Sequence, residues 1–296
     1  SAASDVYKRQ HLTQDDVVMV WHDDTIQPEK CQDTGPVTPG DPDYPYVGDR
    51  FRELTYAQIQ TLDCGYQQLP GYPVQDNIEG NRIATLEEVF AVAVQHGAQD
   101  EIRWNIETKV EDPANAPERE ALVDGVMATI QEHGWPERTT LQSFDWAALD
   151  QVREIDPDMT LVALAESENP LGAGIDPQDA ADRGYDVWSP AHALLTEENI
   201  AEAHELGLVV TPWTVNNRAD MERLIDWGVD GIITDYPSTL RDVMADSGWA
   251  LPKAYPLVEQ PQFGRGAETR AEREHTGAAR SVEDERERSE TARERY

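Results

Sequence analysis

Val17-Val18-Met19-Val20-Trp21-His22-Asp23-Asp24 drives four mostly β-branched apolar residues and a tryptophan into a His-Asp pair. The run reads as a strand, and the imidazole stands where that strand gives way to a loop. The chain repeats the arrangement downstream. Ile102-Arg103-Trp104-Asn105-Ile106-Glu107-Thr108-Lys109 ends in Glu and Lys, and Thr140-Leu141-Gln142-Ser143-Phe144-Asp145 ends in polar residues. Leu208-Val209-Val210-Thr211-Pro212-Trp213-Thr214-Val215-Asn216 and Val229-Asp230-Gly231-Ile232-Ile233-Thr234-Asp235-Tyr236-Pro237 do the same. Polar residues gathered at the C-terminal ends of successive strands, with helices between, describe the active face of a (β/α) barrel.

The helical segments fit that rhythm. Thr85-Leu86-Glu87-Glu88 is a capping box that opens a helix closing at Gly97. From there strands at 101–108, 139–144, 160–165, 185–189, 208–215 and 229–234 alternate with helices at 118–133, 146–155, 177–183, 197–206, 219–227 and 238–245. Such spacing implies parallel strands joined by right-handed crossovers. A closed barrel has eight strands, so two are expected before residue 101, where the 17–21 run is the one clear strand signal.

Composition narrows the function. The chain has 296 residues, enough for one barrel domain, and 39% of them are hydrophobic. No apolar run is long enough to span a bilayer as a helix. The net charge is −34 and Lys occurs only at positions 8, 30, 109 and 253, a balance that repels nucleic acid. An acidic, lysine-poor surface also suggests a protein kept soluble in high salt, where its charges are screened.

Between residues 24 and 82 the β/α rhythm stops. Pro, Gly, Tyr and Asp dominate, with one short helix expected at 55–62, and a stretch this long reads as a lid or an inserted subdomain. Cys31 and Cys64 both lie in it. In a reducing compartment they are two free thiols; in an oxidising one they close a loop of about 33 residues, worth about 3–4 kcal/mol. The arginine- and glutamate-rich tail from Pro261 to Tyr296 has almost no large apolar residues and reads as disordered or as a solvated helix.

Taken together, the motifs from about residue 11 to 245 resemble those of the glycerophosphodiester phosphodiesterase family. His11-Leu12-Thr13-Gln14-Asp15-Asp16 with residues 17–23 is similar to that family's hairpin ending in a catalytic His-Asp. Ile83-Ala84-Thr85-Leu86-Glu87-Glu88 resembles its Ile-Pro-Thr-Leu-Glu-Glu helix start, and Glu107-Thr108-Lys109 its Glu-Ile-Lys strand end. Gln142-Ser143-Phe144-Asp145, Trp213-Thr214-Val215-Asn216 and Gly231-Ile232-Ile233-Thr234-Asp235 complete the set. The resemblance implies a (β/α)8 TIM barrel of the phospholipase-C-like type that cleaves glycerophosphodiesters to sn-glycerol 3-phosphate and an alcohol. It implies histidine acid–base catalysis and a Ca²⁺ or Mg²⁺ ion. The substrate is then a small molecule, with no nucleic acid and no membrane span. Asp63-Cys64-Gly65 and the cysteine pair look like those of exported members, which implies a disulfide and a periplasmic or secreted protein.

Residue by residue, the resemblance makes His22 the proton donor, oriented by Asp23, and Glu107 a metal ligand. It puts Lys109 on the phosphate, Trp213 on the glycerol moiety and Gln142 in a hydrogen bond to substrate. Each has a plain alternative when taken alone: a hairpin histidine, a solvated strand-end carboxylate, a surface ion pair, a core tryptophan. Asn216 and Asp235 suit helix caps better than catalysis. The remaining histidines, His11 among them, read as loop, surface or tail residues.

Part of the family pattern is missing. The His-Arg-Gly of the family's first strand and the Glu-x-Asp of its second are absent; where Glu-x-Asp belongs stands Ser1-Ala2-Ala3-Ser4-Asp5-Val6-Tyr7-Lys8-Arg9-Gln10. The expectation is therefore a foreign or disordered leader at 1–10, a barrel lacking its first two strands at 11–250, and a charged tail at 251–296. Such a chain lacks one histidine and two metal carboxylates of the pattern and is expected to turn over negligibly. The alternatives are a non-catalytic barrel fragment or a related phosphodiesterase of phospholipase C or D type.

Overall fold

The computed structural model describes residues 5–70, 72, 75–167 and 176–253, with side chains from residue 9 onward. The expected tail from 254 to 296, and residues 1–4 of the expected leader, lie outside these.

Residues 5–12 give the first finding. Asp5–Leu12 forms β1, which turns into β2 (Val18–Val20) as an antiparallel hairpin. The expectation of a leader without strand structure is corrected for residues 5–10. Their composition has no strand pattern, but β1 pairs in parallel with the later strand at 103–108 over six residues, from Asp5 opposite Arg103 to Gln10 opposite Thr108. Pairing to a buried strand overrides weak local propensity.

The segment after His22 folds as an inserted subdomain. Strands β3 (Gln32–Asp33) and β4 (Leu62–Asp63) form a two-stranded ribbon around the short helix α1 (Tyr56–Ile59). Met19, Ile26, Cys31, Tyr46, Phe51, Leu54, Ile59, Leu62 and Ile83 make its own apolar core. Cys31 and Cys64 are joined as a disulfide across this core, with Cα atoms 4.0 Å apart.

Then come α2 (Leu86–Gln95), β5 (Arg103–Thr108), α3 (Ala116–Glu132), β6 (Thr139–Ser143), α4 (Trp146–Ile155) and β7 (Thr160–Ala165). They are followed by α5 (Pro177–Asp182), β8 (Val187–Pro190), α6 (Glu197–Glu205), β9 (Val209–Val210), α7 (Arg218–Asp226) and α8 (Pro237–Asp246). Thr85 closes a capping box on α2, as its sequence predicts, and Thr196 closes one on α6 with Asn199. The main sheet has the order β2-β1-β5-β6-β7-β8-β9, parallel throughout except for β2. Its helix-facing side buries Leu12, Val18, Trp104, Ile106, Leu141, Leu161, Trp188 and Val210 against the helices.

The strand expected at 229–234 is an extended segment rather than a regular strand. It still follows the sheet, since Asp230 and Ile233 donate to the carbonyls of Val210 and Pro212, and Val215 donates to Ile233. A Cβ at Gly231 would lie 2.9 Å from Thr211 Cγ2, so only glycine lets the segment approach this closely. With β1 in place, seven of the eight strand positions of a (β/α)8 barrel are filled, counting this segment. Among the described residues one position is open rather than the two expected, and no hydrogen bond joins 229–234 to the β1–β2 hairpin.

Candidate active site

The hairpin overshoots the sheet. β1 runs two residues beyond the level of Thr108, and β2 descends again, with Gln10 opposite Val20 and Trp21 donating to the carbonyl of Arg9. His22 therefore comes back down to the level of Glu107, which lies opposite Arg9 on the neighbouring strand. The two groups converge on one guanidinium. Arg9 Nε donates to Glu107 Oε2 at 2.9 Å, and its Nη1 donates to His22 Nε2.

The chemistry of these contacts fixes protonation. Arginine has no acceptor, so His22 Nε2 accepts and its proton sits on Nδ1, which donates to Asp23 Oδ1 at 2.9 Å. Burial, and then the positive charge of Arg9, hold the His22 pKa below its ordinary value, with Asp23 pulling the other way. Burial raises the Asp23 pKa, but hydrogen bonds from Lys30 and from His22 outweigh it and keep the carboxyl below its usual range.

Glu107 is wholly buried. Gln142, also buried, donates to Glu107 Oε2 at 3.5 Å and accepts from Asn105 Nδ2 at 2.7 Å, so β5 and β6 contribute one polar layer. Beside it, Lys109 Nζ is 3.8 Å from Asp24 and 6.0 Å from the centre of the Phe144 ring. Phe144 meets Trp213 edge to face at 5.3 Å, and Trp213 is pinned by donating from Nε1 to the carbonyl of Ser189. All five expected site residues thus fall into two adjoining groups at the strand ends: His22, Glu107 and Gln142 around Arg9, and Lys109 and Trp213 around Phe144.

Sequence reasoning missed Arg9, Asn105, Phe144 and Asp24. Phe144 had a signal, because it sits inside the motif that supplied Gln142. Arg9 had none, since it lies in the stretch read as foreign. Asn216 and Asp235 bond to each other, Nδ2 to Oδ2 at 2.8 Å, while Asn217 and Tyr236 occupy the cap positions. His11 is no surface histidine: it is buried, stacked on Phe51 at 4.9 Å, with Nδ1 3.3 Å from Glu111.

The donor set does not suit a divalent cation as it stands. Among the described residues no three His, Cys, Asp or Glu side chains gather in a metal-binding group. Glu107 already faces a guanidinium, which claims the oxygen a hard ion would need.

Residues 10–239 match the Glycerophosphoryl diester phosphodiesterase family. The chain belongs to that family. It is 32% identical over 197 residues to a glycerophosphodiester phosphodiesterase of Bacillus subtilis, covering 65% of each chain. A Silicibacter pomeroyi structure assigned to glycerophosphoryl diester phosphodiesterases superposes with TM-score 0.70 at 30% identity, over 82% of this chain and 84% of that one. An Oleispira antarctica phosphodiesterase, solved with its product sn-glycerol-3-phosphate, shares the fold at TM-score 0.61 and 18% identity, over 81% and 85% of the two chains. The match begins inside β1, so the segment bearing Arg9 lies at the very edge of the family likeness.

Proposed function

We propose that this barrel mouth is that of a glycerophosphodiester hydrolase, and that Arg9 holds it closed to turnover in this chain. In the reading, His22 is the proton-transfer group, turned by Asp23. Lys109 meets the phosphate, Trp213 packs on the glycerol carbons, and Gln142 donates a hydrogen bond. The family membership and the product bound to the Oleispira relative support this substrate class.

The observation that carries the second half is the double engagement of Arg9. Acid–base catalysis needs a ring nitrogen free to exchange a proton with the leaving oxygen. His22 Nε2 instead accepts from Arg9, and Nδ1 is committed to Asp23. The charge that would face a phosphate comes from Lys109, since Arg9 is matched by Glu107. The Glu107 site does not fit Ca²⁺ or Mg²⁺ in this state, so neither contributes a step.

Glycerophosphocholine hydrolysis, followed with and without Ca²⁺, tests the reading. The expected result is turnover near background under both conditions. Robust activity abolished by EDTA overturns it. The Cys31–Cys64 disulfide supports an oxidising compartment, and no helix among the described residues is long and apolar enough to cross a membrane.

A further inference from the structure

We infer that Asp24 is the resident counter-ion of the phosphate site: its carboxylate holds Lys109, and a phosphate group gains Lys109 by displacing it. The inference rests on the assignment of Lys109 to the phosphate in the functional reading. Among the described residues four cation–carboxylate pairs meet here, and three of them are closed to an incoming anion. Arg9 is on Glu107 at 2.9 Å, Arg50 is on Glu111 at 3.0 Å, and Lys30 is on Asp23. The Glu107 and Glu111 side chains are buried, so drawing off either arginine strands a buried charge. Asp23 also accepts from His22 Nδ1, so freeing Lys30 unsettles the imidazole.

The fourth pair is different. Lys109 Nζ is 3.8 Å from Asp24, the longest of the four contacts, and the Asp24 side chain is 56% exposed. Water solvates that carboxylate once Lys109 leaves it, and an exposed pair of this kind holds weakly. Lys109 is thus the cation that a phosphate recruits at least cost. The inserted subdomain puts Asp24 in place. Thr25 and Arg50 form an antiparallel bridge, so Asp24 and Arg50 reach the barrel side by side. They meet Lys109 and Glu111, alternate residues of the chain leaving β5. Arg50 on one oxygen, with His11 3.3 Å from the other, keeps the Glu111 carboxylate off Lys109. The Phe144 ring, centred 6.0 Å from Nζ, keeps the ammonium at the mouth when Asp24 turns away.

Binding of sn-glycerol 3-phosphate is measured by calorimetry on the full chain, Asp24→Asn, Glu29→Gln and Lys109→Met; no turnover is needed. Asp24→Asn keeps the shape of an exposed side chain and leaves the fold intact. It is expected to bind about three- to ten-fold tighter than the unsubstituted chain. Glu29→Gln removes an exposed charge from the same loop and is expected to change Kd by less than about two-fold. A second readout follows Lys109 itself. The chain has lysine at positions 8, 30, 109 and 253 alone, so reductive ¹³C-methylation gives few signals, and the one missing from Lys109→Arg is that of Lys109. It is expected to shift in Asp24→Asn and, in the unsubstituted chain, on adding sn-glycerol 3-phosphate. Its titration supplies Kd where heats are small.

Equal or weaker binding by Asp24→Asn overturns the inference, as does a Lys109 signal that Asp24→Asn leaves in place. So does an equal gain in Glu29→Gln, which would make the effect one of net charge. Binding that Lys109→Met abolishes and Asp24→Asn leaves unchanged refutes the counter-ion and spares the phosphate assignment. Binding that survives in Lys109→Met, or is absent from every variant, takes both down.

Discussion

Arg9 and Gln10 are neighbours with opposite fates, because strand side chains alternate between faces. Arg9 meets Glu107, and a buried pair of this kind is costly to break from one side. Arg9→Met is expected to lose about 3–5 kcal/mol, with Arg9→Met/Glu107→Met recovering most of it, both read by urea unfolding. Gln10 points toward the helix layer, fully buried, and among the described residues neither amide atom has a partner. Gln10→Leu should therefore stabilise the chain by about 1–3 kcal/mol in the same assay; a loss of stability would show that the amide is satisfied. For His22, whose folded pKa is lowered by burial and by Arg9, the unfolded chain takes up a proton first as pH falls. The His22 contribution to stability is thus present above the ordinary histidine pKa and declines as pH drops below it. An NMR titration should find His22 below 6.5, and Arg9→Met should move it up. None of this was legible in the sequence. Asp5-Val6-Tyr7-Lys8-Arg9-Gln10 has no apolar alternation, and nothing local says that Arg9 will face a glutamate nearly a hundred positions away.

Elements whose cause is local were readable. Thr85 with Glu88, and Thr196 with Asn199, satisfy the first amides of α2 and α6 from within four residues, and both starts lie where the pattern puts them. Elements that depend on distant pairing were not: β1 exists through β5, and 229–234 follows a two-residue β9 as an extended segment held by a few hydrogen bonds. The inserted subdomain is tied by side chains its sequence left open. Asp63 Oδ1 accepts from the amides of Gly65 and Gly80, and a Cβ on Gly65 would come within 1.8 Å of the Ile78 carbonyl oxygen. Gly65→Ala should cost about 1–3 kcal/mol, and an unchanged melting temperature would refute the close approach. Opening the Cys31–Cys64 bridge, whose partners are separated by 33 positions, should cost about 3–4 kcal/mol. Comparing unfolding of the native chain with a Cys31→Ala/Cys64→Ala variant reads it directly.

At the scale of the molecule, charge and connectivity govern. A net charge of −34 makes self-repulsion a standing penalty on the folded state. Thermal stability should rise by several degrees between about 0.1 M and about 2 M NaCl, and a flat profile would rule out salt adaptation. Two separate apolar cores share the chain, one under the helices and one in the insertion. They meet in the hairpin, where Val18 belongs to the first and Met19 to the second. The imidazole four residues past Val18 thus hangs from a seam stitched into two fabrics at once. Whichever side frays first on heating lets that ring drift from the mouth, so the site should fail at the lower of two melting points while much of the other half is still intact.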